Sequence, residues 1–311
     1  MSNNWKNIWY SKYRPSTLDE MCLTESARTT IQKAVSEGIG HFLFSGPPGT
    51  GKTTMAKVLV TSILHCDYIY INASDENGID DIRGKVTNFI QTKSFDGSMK
   101  VVVLDEADGL SKDAQRCLRN LMEEYDKYAR FILTANEKHK IITALQSRCE
   151  RVDIRPTLKS VGIRCMQILK AEGIKIAGDQ SSKLASLIRQ NFPDVRKCIN
   201  AIQQCCIDGE LQIADAKESS QIIDKIWNGI VNKTSLKTRK FLIENEATFD
   251  ADYDMLLKEL LEHIYITDIN EAQKKQAIIQ IANSLFESSQ VIDKEINAFA
   301  CILSLEDIIK Q

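Results

Sequence analysis

Proline and glycine all but disappear from the last third of this 311-residue chain. No proline follows Pro193, and Gly229 is the only glycine after Gly209. Little there can punctuate short strands, so the region reads as helices. Long apolar runs are also missing. No stretch of about 18 apolar residues occurs, and no signal-peptide pattern opens the chain. Membrane insertion and secretion are therefore not expected, and a cytoplasmic protein is. The nine cysteines form no C-x-x-C pair, and adjacent Cys205 and Cys206 cannot readily chelate one metal together. Free thiols in a reducing cytosol are the better reading, and zinc is not expected. Internal repeats and low-complexity segments are absent as well.

What is present suits a soluble globular protein of two or three domains: 43% of residues are hydrophobic and 26% charged. The net charge of −2 hides an asymmetry. Residues 241–311 carry five Lys and 14 Asp/Glu, a net of −9, which leaves +7 on the preceding 240 residues. A polyanionic partner would belong with that earlier part. The other reading is a solvated acidic helical face.

One stretch organises the rest. Gly46-Pro47-Pro48-Gly49-Thr50-Gly51-Lys52-Thr53 fits G-x-x-x-x-G-K-[ST] in full. The strand-like run His41–Phe44 precedes it, and a helix-like run from Thr54 follows. That context is what a phosphate-binding P-loop requires. Backbone N–H groups and the helix N-terminus would cradle phosphates. Lys52 would neutralise phosphate charge, and Thr53 would ligate Mg²⁺.

Further strands are expected at 67–72, 101–104, 130–134 and 151–154, and helices at 24–37, 79–93 and 111–125. Strands alternating with helices mean a parallel α/β sheet. After Pro156 the strand signals stop. Helices are expected at 157–172, 179–190 and 194–206. Two later apolar sets recur at helical period: Leu256, Leu257, Leu260, Leu261 and Ile264, then Ile278, Ile281, Ala282 and Leu285. The division expected is 1–155, 156–218 and 219–311.

The hydrophobic strand Val101–Leu104 ends in Asp105 and Glu106, a Walker B arrangement. Asp105 would hold Mg²⁺ through water, and Glu106 would polarise the attacking water. Asn136, past the next strand, either bonds the γ-phosphate or lytic water, or simply terminates a strand. Arg148, in Ser147-Arg148-Cys149, is either an exposed salt-bridge partner or, in a ring ATPase, an arginine finger. Arg196 opens a helix after Phe192-Pro193-Asp194 and either reaches the γ-phosphate or is solvated. The aromatic, basic stretch Trp9–Pro15 either stacks on a nucleobase or straps the domain surface.

Together, Lys12–Pro15, Gly46–Thr53, Asp105–Asp108, Thr134–Asn136, Ser147–Cys149 and Phe192–Arg196 resemble the sliding-clamp-loader ATPases of the AAA+ class, which include the small subunits of replication factor C. The resemblance covers about residues 5–215. It is finest towards T4-like bacteriophage clamp-loader ATPase subunits, through Tyr13–Glu20, Thr87–Phe89 and Ser94–Gly97. It implies a P-loop ATPase domain, a helical lid and a helical collar that joins subunits in a ring-like spiral. ATP would lie against Tyr10, Ser11, Lys12, Tyr13, Cys22, Gly49, Thr50, Gly51, Lys52, Thr53, Thr54 and Arg196. Glu106, Asn136 and a trans-acting Arg148 would serve hydrolysis, with Mg²⁺ on Thr53 and Asp105. Primer–template DNA would meet Arg83, Lys85 and Lys112 through its phosphates. The sliding clamp would meet Phe95, whose other role is capping the core.

One departure stands out. Such proteins often carry a Lys or Arg in the turn after the second strand, restraining the Walker B Glu. Here that turn is Asp75-Glu76-Asn77-Gly78, with no cation. Two rival functions remain: another AAA+ DNA motor such as a branch-migration helicase, and a P-loop small-molecule kinase. A non-hydrolysing scaffold is argued against by intact Lys52, Asp105 and Glu106.

Overall fold

The computed structural model describes residues 8–75, 78–92, 99–178, 180–213, 217–249, 251–288 and 290–310. The chain forms two compact units, Met1–Ile213 and Ala214–Gln311. The first begins with α1 (Trp9–Lys12), α2 (Glu25–Glu37), β1 (His41–Ser45) and α3 (Lys52–Val58), which runs on as a π-helical turn, Leu59–Leu64. Then come β2 (Tyr68–Asn72), α4 (Ile79–Gln91), β3 (Lys100–Asp105) and α5 (Lys112–Glu124). They are followed by β4 (Ala129–Ala135), α6 (Thr143–Gln146) and β5 (Cys149–Asp153). The sheet order is β2-β3-β4-β1-β5, and every pair is parallel. From β1 the chain crosses to β2 at the far edge and returns through β3 and β4. The C-terminal ends of β1, β4 and β3 therefore lie side by side, the place where open α/β sheets bind ligands.

The sheet is buried on both faces because helices cover both. Side chains alternate faces at period two. Phe42, Phe44, Val101, Val103 and Ile132 share a core with Ile31 of α2 and Met55 of α3. Leu43, Val102, Leu104, Phe131 and Leu133 pack with Ile82 of α4 and Leu118 of α5. Thr24 and Ser111 start α2 and α5 as N-caps, accepting from the N–H of Ala27 at 3.3 Å and of Ala114 at 3.1 Å.

The three following helices are α7 (Leu158–Ala171), α8 (Gln180–Asn191) and α9 (Val195–Gln204). Strand signals do not stop at Pro156, however. Cys206–Ile207 (β6) and Glu210–Leu211 (β7) form an antiparallel hairpin. Its two turn residues, Asp208 and Gly209, have φ of 51° and 80°. An Asp-Gly pair suits a turn with φ positive at both central positions, so the signal was present but short.

The N-terminal strap packs among these helices. Trp9 and Cys22 are buried with Val161, Cys165, Ile188 and Cys198. Gln203 Oε1 accepts from the Trp9 N–H at 2.9 Å, and Lys12 Nζ pairs with Glu172 at 2.7 Å. Covalently the strap leads into the sheet. The Trp9 ring and the Cys22 side chain are buried with the helices after it, and Tyr10 and Tyr13 pack against them half-buried.

The second unit is helical: α10 (Lys217–Val231), α11 (Ser235–Glu244), α12 (Tyr253–Ile266), α13 (Glu271–Ser288) and α14 (Lys294–Lys310). On α12 the expected apolar set is the buried one, with Leu256, Leu257, Leu260 and Ile264 in the core and Leu261 packed against it. On α13 the buried face is turned from the expected one. Ala277, Ile281, Ser284 and Ser288 are buried, whereas Ile278 and Ala282 are exposed. Hydrogen bonds make the serines acceptable there: the Ser284 hydroxyl donates to Asn297 Oδ1 at 3.4 Å, and the Ser288 hydroxyl donates to Asp254. Among the described residues no helix is long and apolar enough to cross a membrane.

Candidate functional site

Backbone conformation comes first in the Gly46–Thr53 loop. Gly46 has φ of 149°, and a Cβ there would stand 2.6 Å from Ile154 O. Gly49 has φ of 72°, and a Cβ there would stand 1.9 Å from the Asp194 carboxylate. A side chain at either position needs both a rare conformation and space already taken. Asp194 is also the N-cap of α9, accepting from the Lys197 N–H at 2.9 Å. Lys52 is buried, and its Nζ donates to Gly46 O at 3.0 Å and Pro47 O at 2.8 Å. Burial pushes its pKa down, opposed by Asp108, Asp105, Glu106 and Asp194.

Asp105 ends β3 beside this loop and gathers three hydroxyls. Thr53 Oγ1 donates to its two oxygens at 2.8 and 2.9 Å, and Thr134 Oγ1 donates at 2.6 Å. The third donor is the Tyr70 phenol, whose pKa is raised by burial and by Asp105. Register explains the set. Asn72 of β2 pairs with Asp105, so Tyr70, two residues earlier, shares its face. Thr134 stands one position past the Leu104–Leu133 pair. It also accepts from the Glu106 N–H at 3.0 Å, so one hydroxyl ties both acids.

Glu106 itself is left-handed, with φ of 55°, a strained conformation for a side-chain-bearing residue. Its Oε2 accepts from Ser74 Oγ at 2.6 Å. Ser74 immediately precedes the cation-free stretch Asp75-Glu76-Asn77-Gly78. Asn77 lies outside the described residues. Asn136 follows β4, and its N–H and that of Glu137 donate to Asp108 Oδ2 at 3.1 and 2.9 Å. Asp108 thus fixes the backbone from which Asn136 projects.

An open cleft with an empty volume of about 600 Å³ adjoins the loop. Gly49, Thr50, Gly51 and Thr54 line one side, and Tyr10, Tyr13 and Cys22 another. Arg196 lines it too, its guanidinium 5.7 Å from the Tyr10 ring centre. Of the residues expected at the nucleotide, Ser11, Lys12, Lys52 and Thr53 are not among the lining residues. Ser11 is exposed, and Lys12 is drawn away to Glu172. Two unforeseen cations do line the cleft, Arg14 and Arg164, the latter donating to Tyr13 O at 2.9 Å. Burial pushes the Cys22 thiol up, so it stays neutral.

The residues fit Mg·ATP. The loop's backbone N–H groups and the buried Lys52 suit phosphate oxygens, and the Thr53 hydroxyl and Asp105 carboxylate suit a hard cation that keeps its waters. Among the described residues no cluster of three or more His, Cys, Asp or Glu could hold a metal ion.

Arg148 is elsewhere. Cys149 pairs with His41 at the start of β1, while Ser45, which leads into the loop, pairs with Asp153. About 13 Å of strand, at 3.3 Å per residue, therefore separates Arg148 from the loop end of the sheet. Its neighbours anchor it. Ser147 N–H donates to Thr143 O at 2.9 Å, and Cys149 is buried, its thiol pushed up to about 12. The segment before it hangs on Gln115 of α5, which is 1% exposed. Gln115 donates to Leu110 O at 3.2 Å and Lys140 O at 3.1 Å, and accepts from Ile142 N–H at 2.8 Å. Replacing it with Leu strands a buried N–H and two carbonyls, so chemical denaturation should register a loss of about 1–3 kcal/mol.

Arg83 and Lys85 are exposed on α4, and Lys112 is exposed at the first position of α5. Phe95 lies outside the described residues. Tyr70, Ser74, Thr134, Asp108 and Gln115 had no assigned role in the sequence reading. Only Thr134 carried a usable signal: it is the polar interruption of an apolar strand.

Two family models match. Residues 42–157 match the ATPase family associated with various cellular activities (AAA), and residues 153–213 match the AAA+ ATPase lid domain of sliding-clamp-loader large subunits. The replication factor C small subunit of Archaeoglobus fulgidus is 33% identical, covering 98% of each chain. The sliding-clamp-loader large subunit of Enterobacteria phage T4 is 35% identical over 93% of this chain and 91% of its own. Among solved structures, the Thermotoga maritima RuvB Holliday junction branch migration motor matches with a TM-score of 0.52. It covers 94% of this chain and 90% of its own at 16% identity, which shows a shared fold alone.

Proposed function

This chain belongs to the replication factor C and sliding-clamp-loader family of AAA+ ATPases, and from that membership we propose that ATP binding opens a sliding clamp and grips primer–template DNA, and that hydrolysis releases the closed clamp. The supporting observation is the convergence of Lys52, Thr53, Asp105, Glu106 and Asn136 at the C-terminal ends of β1, β3 and β4. Bound Mg·ATP supplies the anhydride bond to be broken. Thr53 and Asp105 would hold Mg²⁺, whose charge would offset that of the phosphates, and Lys52 would neutralise more of it. Glu106 polarises the attacking water, while Asn136 and Arg196 orient towards the γ-phosphate. Arg148 completes the site of a neighbouring subunit. Residues 1–155 are the ATPase domain, 156–218 the lid and 219–311 the collar of a ring-like hetero-oligomer in the cytoplasm. Phe95 faces the clamp.

The test is ATP turnover of the assembled loader with and without primed DNA and clamp. Stimulation by the two together is expected, and turnover indifferent to both would sink the reading. DNA affinity should also fall steeply with salt and hardly respond to base sequence. Removing one phosphate-binding cation, as in Arg83→Ala or Lys112→Ala, should flatten the log–log salt slope by about 0.9. A salt slope unchanged by both substitutions would remove α4 and α5 from the DNA interface.

A further inference from the structure

We propose that Glu123 is a positioning residue for Arg148, fixing the direction in which its guanidinium leaves the subunit. The inference rests on the reading of Arg148 as a finger for a neighbour's nucleotide, and it adds a second residue to that function.

The backbone under Arg148 is held from both sides. Its N–H donates to Leu145 O at 3.1 Å, and the next residue, Cys149, is buried at the start of β5. A rigid base does not by itself aim a long side chain. Two acceptors do so here. Arg148 Nη1 donates to Ala144 O, in α6, at 2.9 Å, and Nη2 pairs with the Glu123 carboxylate in the last turn of α5. The guanidinium is planar with five N–H donors in fixed directions. Anchoring both terminal nitrogens to this subunit sets the plane. The Arg148 side chain remains 35% exposed.

The pair has little to do for the fold. Glu123 is 49% exposed at its side chain, and exposed ion pairs add little stability. Its consequence is preorganisation. A cation that must meet developing charge on another subunit works best when its orientation is settled before the reaction. Glu123 has a second cation within reach, Arg119 Nε at 3.9 Å. Arg119 is engaged by Asn120 Oδ1 at 2.7 and 3.2 Å, so Arg148 is the closer partner. The same helix, α5, holds the segment before α6 through Gln115. One helix thus secures both the platform and the head of the arginine.

The experiment is a double-mutant cycle on the assembled loader, read as kcat and KM for ATP. Glu123→Ala should lower kcat by about ten- to a hundredfold with KM little changed, as expected of a misaimed catalytic group. Glu123→Gln keeps a neutral acceptor and should fall between. The double variant Glu123→Ala/Arg148→Ala should be no slower than Arg148→Ala alone, because Glu123 acts only through Arg148. Melting temperatures of the isolated subunits, shifting by no more than about 2 °C, separate misaiming from unfolding. Unchanged or faster turnover in Glu123→Ala overturns the proposal, as does a loss that adds fully to that of Arg148→Ala. Wild-type turnover in Arg148→Ala itself would sink the finger reading, and the positioning role with it.

Discussion

Loaders assembled only from Arg148→Ala subunits are expected to lose about 10³-fold or more of their ATP turnover, while each isolated subunit still binds nucleotide. The geometry separates the two properties. Lys52, Thr53 and the glycine loop lie past the C-terminal end of β1, and Arg148 precedes β5 at the opposite end of the sheet. Removing it leaves its own subunit's phosphate cradle intact. On the proposed trans role, a neighbour's transition state would lose the cation. Mixing distinguishes cis from trans. Arg148→Ala loaders and Lys52→Ala loaders should each be inactive. In mixed assemblies, an interface with an intact Lys52 site facing an intact Arg148 recovers turnover. No recovery, in complexes shown by mass to be mixed, would mean that Arg148 works in cis or only structurally.

Glu106→Gln is the second large effect. Turnover should fall by about 10²–10⁴-fold, the usual contribution of a general base, with ATP binding and assembly retained. The substitution keeps size, and the amide oxygen can still accept from Ser74. The negative charge that polarises water is lost. The strained φ of 55° and the bond from its N–H to Thr134 are backbone properties, so they persist in the variant. Single-turnover hydrolysis alongside nucleotide binding checks this. Near-normal rates in purified Glu106→Gln would remove Glu106 from the chemistry.

Much of the catalytic ATPase unit was legible along the chain because its signals are local. The P-loop is one contiguous string. Strands β1, β3 and β4 announce themselves as apolar runs, and Thr24 and Ser111 mark helix starts by what a short hydroxyl side chain does at an N-cap. Where the reading failed, the deciding partner was distant. Ser284 and Ser288 interrupt the apolar pattern of α13, yet they are buried because Asn297 and Asp254 accept from their hydroxyls.

The chemical inventory could be read from the chain alone: the loop, the two acids at the end of β3, the polar residue after β4 and the arginine before β5. Each follows from residue type and short spacing. Which residues surround the acids, and which way the outlying groups face, follow from the fold. Tyr70, Ser74 and Thr134 reach Asp105 and Glu106 because parallel register sets β2 and β4 on either side of β3. Trp9 and Cys22 join the core of α7–α9 although they precede the sheet. Arg148 meets Glu123 across 25 residues of chain. Such pairings depend on strand order, register and helix packing, which no local spacing encodes.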